Sequence, residues 1–280
     1  MQIINDHNLY LVISSEYLPG LKPPLDVAKL AIQGGIDILQ MREKNIPRDE
    51  ILLLGKGYLE LCRENKVLFI VNDDPYLASQ IDADGLHIGQ EDFSAYTVKK
   101  LRSIMGGKII GISTHSLEQF KKANDQDFDY ISFGPIFPTK TKDYFIGFEE
   151  VENVLKIASK PVVFIGGINI DNINILLGKG AKNIALIRDI IQAEEITQRT
   201  KLFKQRIMNF CGKKMIIKIN GENEGVEVKA NLSELIMNKN LNPAGIVIEH
   251  NGSIIPKEKW ADVFLNDNDN IEIVSFVSGG

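Results

Sequence analysis

The 280-residue sequence predicts an α/β protein in two parts: a (β/α)8 TIM barrel over residues 1–208 and a small α+β domain of the β-grasp, ubiquitin-like kind over residues 215–280. Eight short runs rich in Val, Ile and Phe alternate with stretches of helical period, which predicts a closed barrel of βα units. Further along, two Asn-Gly turns flank one helical segment, which predicts two hairpins packed on a helix. Residues 209–214 are predicted to link the two parts.

The barrel strands are predicted from apolar runs that are each followed by polar residues. They cover residues 9–13, 36–41, 67–71, 85–88, 109–112, 130–133, 162–165 and 184–187. Asp171 is predicted to cap a helix over residues 172–177, and Gly178 and Gly180 suit the end of that helix. An open doubly wound sheet is the alternative, but no glycine-rich dinucleotide loop follows the first run.

The second part begins near Met215. We predict strands over residues 216–219, 226–229, 245–249 and 271–276, and a helix over residues 232–239. Asn220-Gly221 and Asn251-Gly252 supply the turn residues of the two hairpins. Because so short a segment has a small core, the domain is expected to be marginally stable alone.

Composition excludes several classes of protein. With 44% hydrophobic and 25% charged residues, the chain has enough apolar material for a sizeable core. The net charge of -5 and the absence of a basic cluster argue against a nucleic-acid partner. No signal-peptide pattern and no membrane-spanning apolar run are found, so we expect a cytoplasmic protein without a membrane partner. Cys62 and Cys211 are too far apart in sequence to suggest a disulfide framework or a zinc site.

Polar residues follow the second predicted strand, where a barrel carries its functional groups. Gln40, Arg42 and Lys44 alternate along an extended segment, so their side chains share one face. Two cations in a barrel mouth suit a multiply charged anion such as diphosphate. A solvated charge pair beside Glu43 is an equal alternative.

Two carboxylates follow the next two strands. Asp73 and Asp92 lie after neighbouring runs, where they can share one hard cation. Magnesium takes one or two protein carboxylates and fills its shell from phosphate oxygens and water, so Mg²⁺ is the expected cofactor. Taken singly, each Asp is more often a helix N-cap.

The later strands are followed by candidate phosphate-binding residues. The loop over residues 139–142 offers hydroxyls and ammonium groups that can close over phosphate oxygens. Gly167 and the turn after Ile187 lie where barrels often bind a phosphate. His115, after the fifth strand, is an acid or base candidate, although a lone His is more often structural.

Together these segments resemble the thiamin-phosphate synthase family over nearly all of residues 9–208. The motifs are Gln40-Met41-Arg42-Glu43-Lys44, Val71-Asn72-Asp73, Asp84-Gly85-Leu86-His87-Ile88-Gly89-Gln90 with Asp92, Gly134-Pro135 with Thr139-Lys140-Thr141-Lys142, and Ile165-Gly166-Gly167-Ile168. The resemblance implies a reaction in which a pyrimidine diphosphate loses pyrophosphate while the nitrogen of a thiazole phosphate attacks the methylene carbon.

The resemblance also implies a role for each matching residue. Asp73 and Asp92 would bind magnesium. The diphosphate would be held by Arg42, Lys44, Asn72, Ser113 and Lys142. Of these, Arg42, Lys44, Ser113 and Lys142 would act in catalysis. Gln40 would contact the pyrimidine. The thiazole phosphate would be held by Thr139, Thr141, Gly167, Ile187 and Arg188.

Three departures from the family pattern leave alternatives open. Ser14 stands where the family often has Asp, the loop over residues 142–147 is shortened, and Arg188 stands where Ser is usual. A related thiazole tautomerase would use His115 and would need no magnesium-diphosphate site. A barrel that only binds thiazole phosphate and tethers the second domain is the other alternative.

Residues 215–280 resemble the sulfur-carrier protein of thiamin biosynthesis. The markers are Ile219-Asn220-Gly221, His250-Asn251-Gly252 with Ile255-Pro256, Trp260, Asp269-Asn270-Ile271-Glu272 and Gly279-Gly280. Glycine has no side chain to block threading through a narrow adenylation site. The resemblance implies a thiocarboxylate on Gly280, made with a separate adenylating enzyme and delivered to thiazole synthase.

Overall fold

The computed structural model describes residues 4, 7–18, 20, 22–140, 143–210, 214–227, 231–239 and 241–275. The chain divides into two compact units, Met1–Met208 and Asn209–Gly280. Within the described part, no helix is both long and apolar enough to cross a lipid bilayer.

The first unit is a closed barrel of eight parallel strands, which confirms the predicted fold. The strands are β1 (Leu9–Ile13), β2 (Ile38–Met41), β3 (Leu68–Asn72), β4 (Gly85–Ile88), β5 (Ile109–Thr114), β6 (Tyr130–Phe133), β7 (Val162–Ile165) and β8 (Asn183–Leu186). β1 pairs with both β2 and β8, so the sheet closes and the open doubly wound alternative is wrong.

Ten helices connect and surround the described strands. They are α1 (Pro24–Gln33), α2 (Arg48–Asn65), α3 (Pro75–Ile81), α4 (Gln90–Phe93), α5 (Val98–Met105), α6 (Leu117–Asn124), α7 (Glu150–Ile157), α8 (Ile173–Gly178), α9 (Arg188–Ile191) and α10 (Ile196–Phe210). A 3-10 turn, Ser15–Tyr17, follows β1. Since α10 extends to Phe210, the first two residues of the predicted linker are helical.

The predicted cap of α8 is wrong. Asn172, not Asp171, occupies the N-cap position. The Asn169 carboxamide oxygen accepts the backbone N–H of both Asp171 and Asn172, at 2.9 and 3.0 Å. Asn169 therefore fixes the turn that precedes the helix, and the Asp171 side chain makes no cap.

The inside of the barrel changes from apolar to polar toward the carboxyl ends of the strands. Ile38, Ile109 and Tyr130 belong to the interior cluster. Strand side chains alternate in direction. Gln40 and Ser132, two residues after Ile38 and Tyr130, therefore also point into the barrel. Both are buried. This polar layer forms the floor of the barrel mouth.

The described part of the second unit is a five-stranded mixed sheet with one α-helix, which confirms the predicted β-grasp class, although only four strands were predicted. The strands are β9 (Lys214–Ile219), β10 (Glu222–Glu227), β11 (Ile246–His250), β12 (Ser253–Ile255) and β13 (Asn270–Ser275), and the helix is α11 (Leu232–Asn238). Their order is β10-β9-β13-β11-β12, and β13 runs parallel to β9. Its core is formed by Ile217, Ile219, Leu232, Leu235, Ile236, Ile248, Trp260, Leu265 and Ile271.

Both predicted hairpin turns are present. Asn220 and Gly221 have φ angles of 51° and 84°, and Asn251 and Gly252 have 49° and 81°. Positive φ at both turn residues matches the twist of the flanking strands, which favours Asn-Gly. The tight first turn lets β10 begin at Glu222, four residues before the predicted strand, and the sequence analysis missed β12 altogether.

Candidate active site

Two carboxylates meet beside Gly89, at the carboxyl ends of β3 and β4. Asp73 has a φ of 64°, and its Oδ1 accepts the Gly89 backbone N–H at 2.8 Å. A Cβ built on Gly89 would lie 3.5 Å from Asp73 Oδ1 and 3.1 Å from Asp92 Oδ2. The absence of a side chain at Gly89 thus lets both carboxylates approach the same point. Asn72 Nδ2 donates to the second oxygen of Asp73.

Neither carboxylate is a helix cap, so that alternative does not apply. Asp74 caps α3, because its Oδ1 accepts the backbone N–H of Leu77 at 2.7 Å. Asp92 lies inside α4 and is exposed. Because Asp74 caps the helix, the neighbouring Asp73 carboxylate is available for another role.

The charged side chains around Asp73 shift the pKa of its carboxyl group. Burial raises the pKa of the Asp73 carboxyl, and the neighbouring Asp92 also raises it. The Gly89 N–H and the positive charges of Lys44 and Arg42 oppose that rise in the pKa of Asp73. Two carboxylates and two cations of the predicted set are therefore close enough to interact.

Arg42 is held by the loop after β1. Its Nη1 donates to Glu16 Oε1 at 3.0 Å. Glu43 instead accepts the Ser15 backbone N–H and hydroxyl, at 2.9 and 2.8 Å. Glu16 is therefore the ion-pair partner of Arg42, while Lys44 is exposed.

A chain of buried hydrogen bonds runs beneath the mouth. The hydroxyls of Tyr10 and Tyr130 lie 2.9 Å apart, and the Tyr130 hydroxyl lies 2.8 Å from His87 Nδ1. His87 Nε2 lies 2.8 Å from Ser113 Oγ and 3.4 Å from Ser132 Oγ. Burial lowers the pKa of His87 to about 3, so its imidazole is neutral near pH 7.

Gly111 makes room for this chain. A Cβ at Gly111 would lie 2.1 Å from Tyr130 Cζ, so a side chain there would displace the phenol ring. The sequence predicts no role for Tyr10, Tyr130 or Ser132, and His87 is predicted only as part of a motif. Alternation along β4, β5 and β6 is the signal that identifies inward polar residues, once the barrel is known to close.

Gln40 lies buried in the same polar layer. Among the described residues, no acceptor lies within hydrogen-bonding distance of its Nε2. A buried amide without a partner is rare in folded proteins and calls for an explanation, such as a catalytic role or a bound water or ion. Gln40 therefore marks a place where a polar ligand group would be held.

A second part of the mouth is a cavity of about 530 Å³ at the ends of β6, β7 and β8. Its walls include Thr139, Lys140, Gly166, Gly167, Ile187, Arg188 and Gln192. Gly167 has a φ of 66°, and a Cβ there would lie 2.4 Å from the Pro138 carbonyl oxygen. Only glycine fits, so the loop after β7 presents backbone to the cavity. Thr141 and Lys142 lie outside the described residues, so their predicted roles stay predictions.

His115 lies at the edge of the mouth. Its Nδ1 is 2.6 Å from the Gly134 carbonyl oxygen, so that nitrogen carries the proton and donates. Its ring contacts Tyr144 edge-on, at a centroid distance of 6.3 Å. These contacts fix the orientation of the His115 ring, and its role as an acid, a base or a structural residue stays a prediction.

The two carboxylates fit magnesium by the chemistry of their donors. Within the described part of the chain, no group of three or more His, Cys, Asp or Glu residues is placed to hold a metal ion. Magnesium bound with a diphosphate needs only one or two carboxylates, since phosphate and water supply the remaining oxygens. Asp73 and Asp92 meet that requirement. Cys62 is buried and unpaired, and Cys211 lies outside the described residues.

Comparison with known proteins identifies the family of this barrel. Residues 9–190 match the family model described as thiamine monophosphate synthase. The chain belongs to the thiamine monophosphate synthase family. Residues 212–280 match the model of the ThiS family, as the resemblance of the second unit to a sulfur carrier predicts.

Named relatives of the thiamine monophosphate synthase barrel match about two thirds or more of this chain. A thiamine-phosphate synthase from Persephonella marina is 38% identical over 208 residues, which is 73% of this chain and 98% of the relative. One from Bacillus cereus is 38% identical over 193 residues, which is 66% of this chain and 85% of the relative. A solved thiamine phosphate pyrophosphorylase from Pyrococcus furiosus superposes with a TM-score of 0.67 at 33% identity, covering 74% of this chain and 98% of its own. The predicted enzyme class is confirmed.

Proposed function

We propose that the barrel condenses hydroxymethylpyrimidine diphosphate with thiazole phosphate and releases pyrophosphate and thiamine phosphate. The observation that carries this proposal is the approach of Asp73 and Asp92 to one point beside Gly89, within the influence of Lys44 and Arg42. Such an arrangement suits a metal-bound diphosphate and has no evident use in a thiazole isomerisation.

The diphosphate is held at the ends of β2 to β5. Arg42 and Lys44 contact its oxygens as cations, together with Lys142, and Arg42 exchanges Glu16 for a phosphate oxygen. The Ser113 hydroxyl donates to the diphosphate, while His87 holds Ser113 in place. Gln40 Nε2 donates to a ring nitrogen of the pyrimidine, which gives this buried amide a partner.

The thiazole phosphate is held in the cavity at the ends of β6 to β8. Gly167 presents backbone, and Thr139 and Arg188 line the same space. Thr141 and the backbone at Ile187 complete the proposed set. The two substrates therefore meet over the polar floor of the barrel.

The reaction exchanges one bond for another. The methylene C–O bond breaks, and its electron pair leaves with pyrophosphate. The thiazole nitrogen forms the new C–N bond with its lone pair. Cations around the diphosphate stabilise the leaving group, and proximity of two bound substrates lowers the entropic part of the barrier.

Magnesium is the proposed cofactor. Asp73 and Asp92 would hold it, and it would neutralise part of the charge on the departing pyrophosphate. Asn72 keeps the Asp73 carboxylate in position through its amide N–H.

We propose that the second unit carries sulfur as a thiocarboxylate on Gly280. Support comes from the match to the ThiS family and from the five-stranded sheet with one helix. An adenylating enzyme would activate the carboxylate, and thiazole synthase would receive the sulfur. Gly279 and Gly280 lie outside the described residues. The predicted cytoplasmic location likewise stays a proposal.

Metal dependence tests the proposal for the barrel. We expect condensation to stop when a chelator removes divalent cations and to return when magnesium is restored. Thiamine phosphate is measured by conversion to fluorescent thiochrome. Full activity in excess chelator would contradict the magnesium site, and absence of condensation under all metal conditions would contradict the reaction.

A further inference from the structure

The loop after β1 contacts an arginine at each end of the barrel mouth. Glu16 Oε1 pairs with Arg42 Nη1, which belongs to the proposed diphosphate end. The next residue, Tyr17, lies against Arg188, whose guanidinium carbon is 4.2 Å from the centre of the Tyr17 ring. Arg188 also lines the cavity of the proposed thiazole phosphate. Two consecutive residues therefore touch both anion-binding ends.

Tyr17 is fixed to the helix that carries Arg188. Gln192 Nε2 donates to the Tyr17 carbonyl oxygen at 2.8 Å. Gln192 is the residue that ends the short helix α9, which begins at Arg188. The Tyr17 backbone N–H donates to the Ser14 carbonyl at 3.1 Å. These bonds hold the phenol ring beneath the Arg188 guanidinium.

Stacking and phosphate binding use different parts of an arginine. The aromatic ring meets the flat face of the guanidinium, whereas the N–H groups point outward in its plane toward acceptors. A stacked arginine therefore keeps an orientation in which its edge meets phosphate oxygens. It also loses less side-chain freedom on binding than an arginine without a stacking partner.

We propose that Tyr17 is a positioning residue that aims Arg188 at the phosphate of the second substrate, and thereby sets the preference for thiazole phosphate over the unphosphorylated thiazole alcohol. The proposal rests on the proposed function of the barrel. It assigns this specificity to the charged side chain of Arg188. A backbone N–H alone would distinguish the two substrates less well, because hydrogen bonds from a charged donor to phosphate are stronger.

The test compares both thiazoles as substrates of the full-length protein. In Tyr17→Ala we expect kcat/KM for thiazole phosphate to fall about threefold, mainly through KM, because a cation–π contact at such a site is worth about that factor. The kcat/KM for thiazole alcohol should not show this fall. Because Tyr17 also hydrogen-bonds Glu16, the partner of Arg42, the readout is the ratio of the two kcat/KM values. Tyr17→Phe keeps the ring and should restore the wild-type preference.

Repeating Tyr17→Ala in an Arg188→Ala variant separates the positioning of Arg188 from general damage to the loop after β1. In Arg188→Ala the preference for the phosphate should already be low, and adding Tyr17→Ala should lower it no further. An equal loss for both thiazoles, or the same additional loss in the Arg188→Ala background, would overturn the proposal.

Calorimetric measurement of the affinity for the two thiazoles tests the role of Tyr17 independently of the proposed reaction. If the wild type binds thiazole phosphate more tightly than the alcohol but condenses neither, the reaction is wrong, and the effect of Tyr17→Ala on binding still decides the role of Tyr17. If the wild type condenses both and Tyr17→Ala keeps the full preference, only the role of Tyr17 is wrong.

Discussion

Asp92 is the residue whose replacement bears most directly on the metal site. It is exposed on α4, so its removal leaves no cavity and no buried unpaired group. We predict that Asp92→Ala lowers kcat by about a hundredfold or more, since charge on the leaving group loses its stabilisation. The thermal unfolding midpoint should stay unchanged.

Glu91→Ala is the matched control for Asp92. Glu91 is the exposed neighbour on the same helix and has the same type of charge. Its replacement should leave the rate near that of the wild type. Steady-state rates at saturating magnesium check both variants, and a wild-type rate in Asp92→Ala would show that Asp92 is not a ligand.

His87 links stability of the barrel to pH. Its pKa is lowered to about 3 by burial, so the folded state keeps it neutral while the unfolded state binds a proton below about pH 6.5. As pH falls from about 6.5 toward about 3, the unfolded state binds a proton that the folded state does not bind. The contribution of His87 to stability is therefore lost progressively over this pH range. We predict a loss of about 2 kcal/mol between pH 7 and pH 5 from this residue.

Denaturant unfolding of wild type and His87→Gln checks this prediction. Glutamine keeps hydrogen-bonding groups in the position of the ring but does not titrate. The variant should lose about 2 kcal/mol less than the wild type over the same pH change. An equal pH dependence in the two proteins would mean that His87 does not titrate on unfolding.

Local patterns predict some residues of the site and miss others. Gln40 lies near the end of β2, and Arg42, Asp73 and Asp92 follow strands, so the rule that barrels function at that end finds them from the sequence. The contact of Tyr17 with Arg188 is not visible in this way, because it depends on the closure of β1 against β8. Closure is a long-range property that no local pattern specifies.

At the scale of elements, one buried carboxylate joins two turns of the β-grasp unit. Asp269 accepts His250 Nε2 at 2.7 Å and Asn251 Nδ2 at 2.8 Å. It also accepts the Asn266 backbone N–H at 2.8 Å. Because three donors lose their partner together, we predict that Asp269→Ala destabilises this unit by about 2 to 3 kcal/mol.

Hydrogen exchange measured separately for the two units checks the role of Asp269. Amides of β11 and β13 should exchange faster in Asp269→Ala, while those of the barrel strands should not change. Asp262→Ala, at an exposed position of the same unit, serves as the control. Unchanged protection in β11 and β13 would contradict the proposed role.

Strand existence follows from the sequence more reliably than strand bounds. The eight barrel runs and both Asn-Gly turns are correctly predicted, because apolar periodicity and positive-φ turn residues are local signals. β12 was missed because it has only three residues, two of them exposed, and its pairing with β11 defines it. The predicted cap at Asp171 failed because the helix begins one residue later than predicted, after a turn that Asn169 fixes.

At the scale of the whole molecule, the two units are expected to act on different chemistry. We predict that intact protein incubated with an adenylating enzyme, ATP and a sulfur donor gains the mass difference between sulfur and oxygen at Gly280. Adding one residue after Gly280 should abolish that gain and leave condensation by the barrel intact, because the units are separate compact bodies. Intact-mass spectrometry measures the gain. Sulfur on the extended chain would contradict the carrier assignment.

The reaction proposed for the barrel joins a pyrimidine diphosphate to a thiazole phosphate. Phosphorus NMR of the wild-type protein with both substrates and magnesium tests it most directly, because substrate and product phosphates are seen together. We predict that pyrophosphate and thiamine phosphate appear in equal amounts, and that neither appears when one substrate is withheld. Release of pyrophosphate without thiamine phosphate, or no change in either substrate, would contradict the claim.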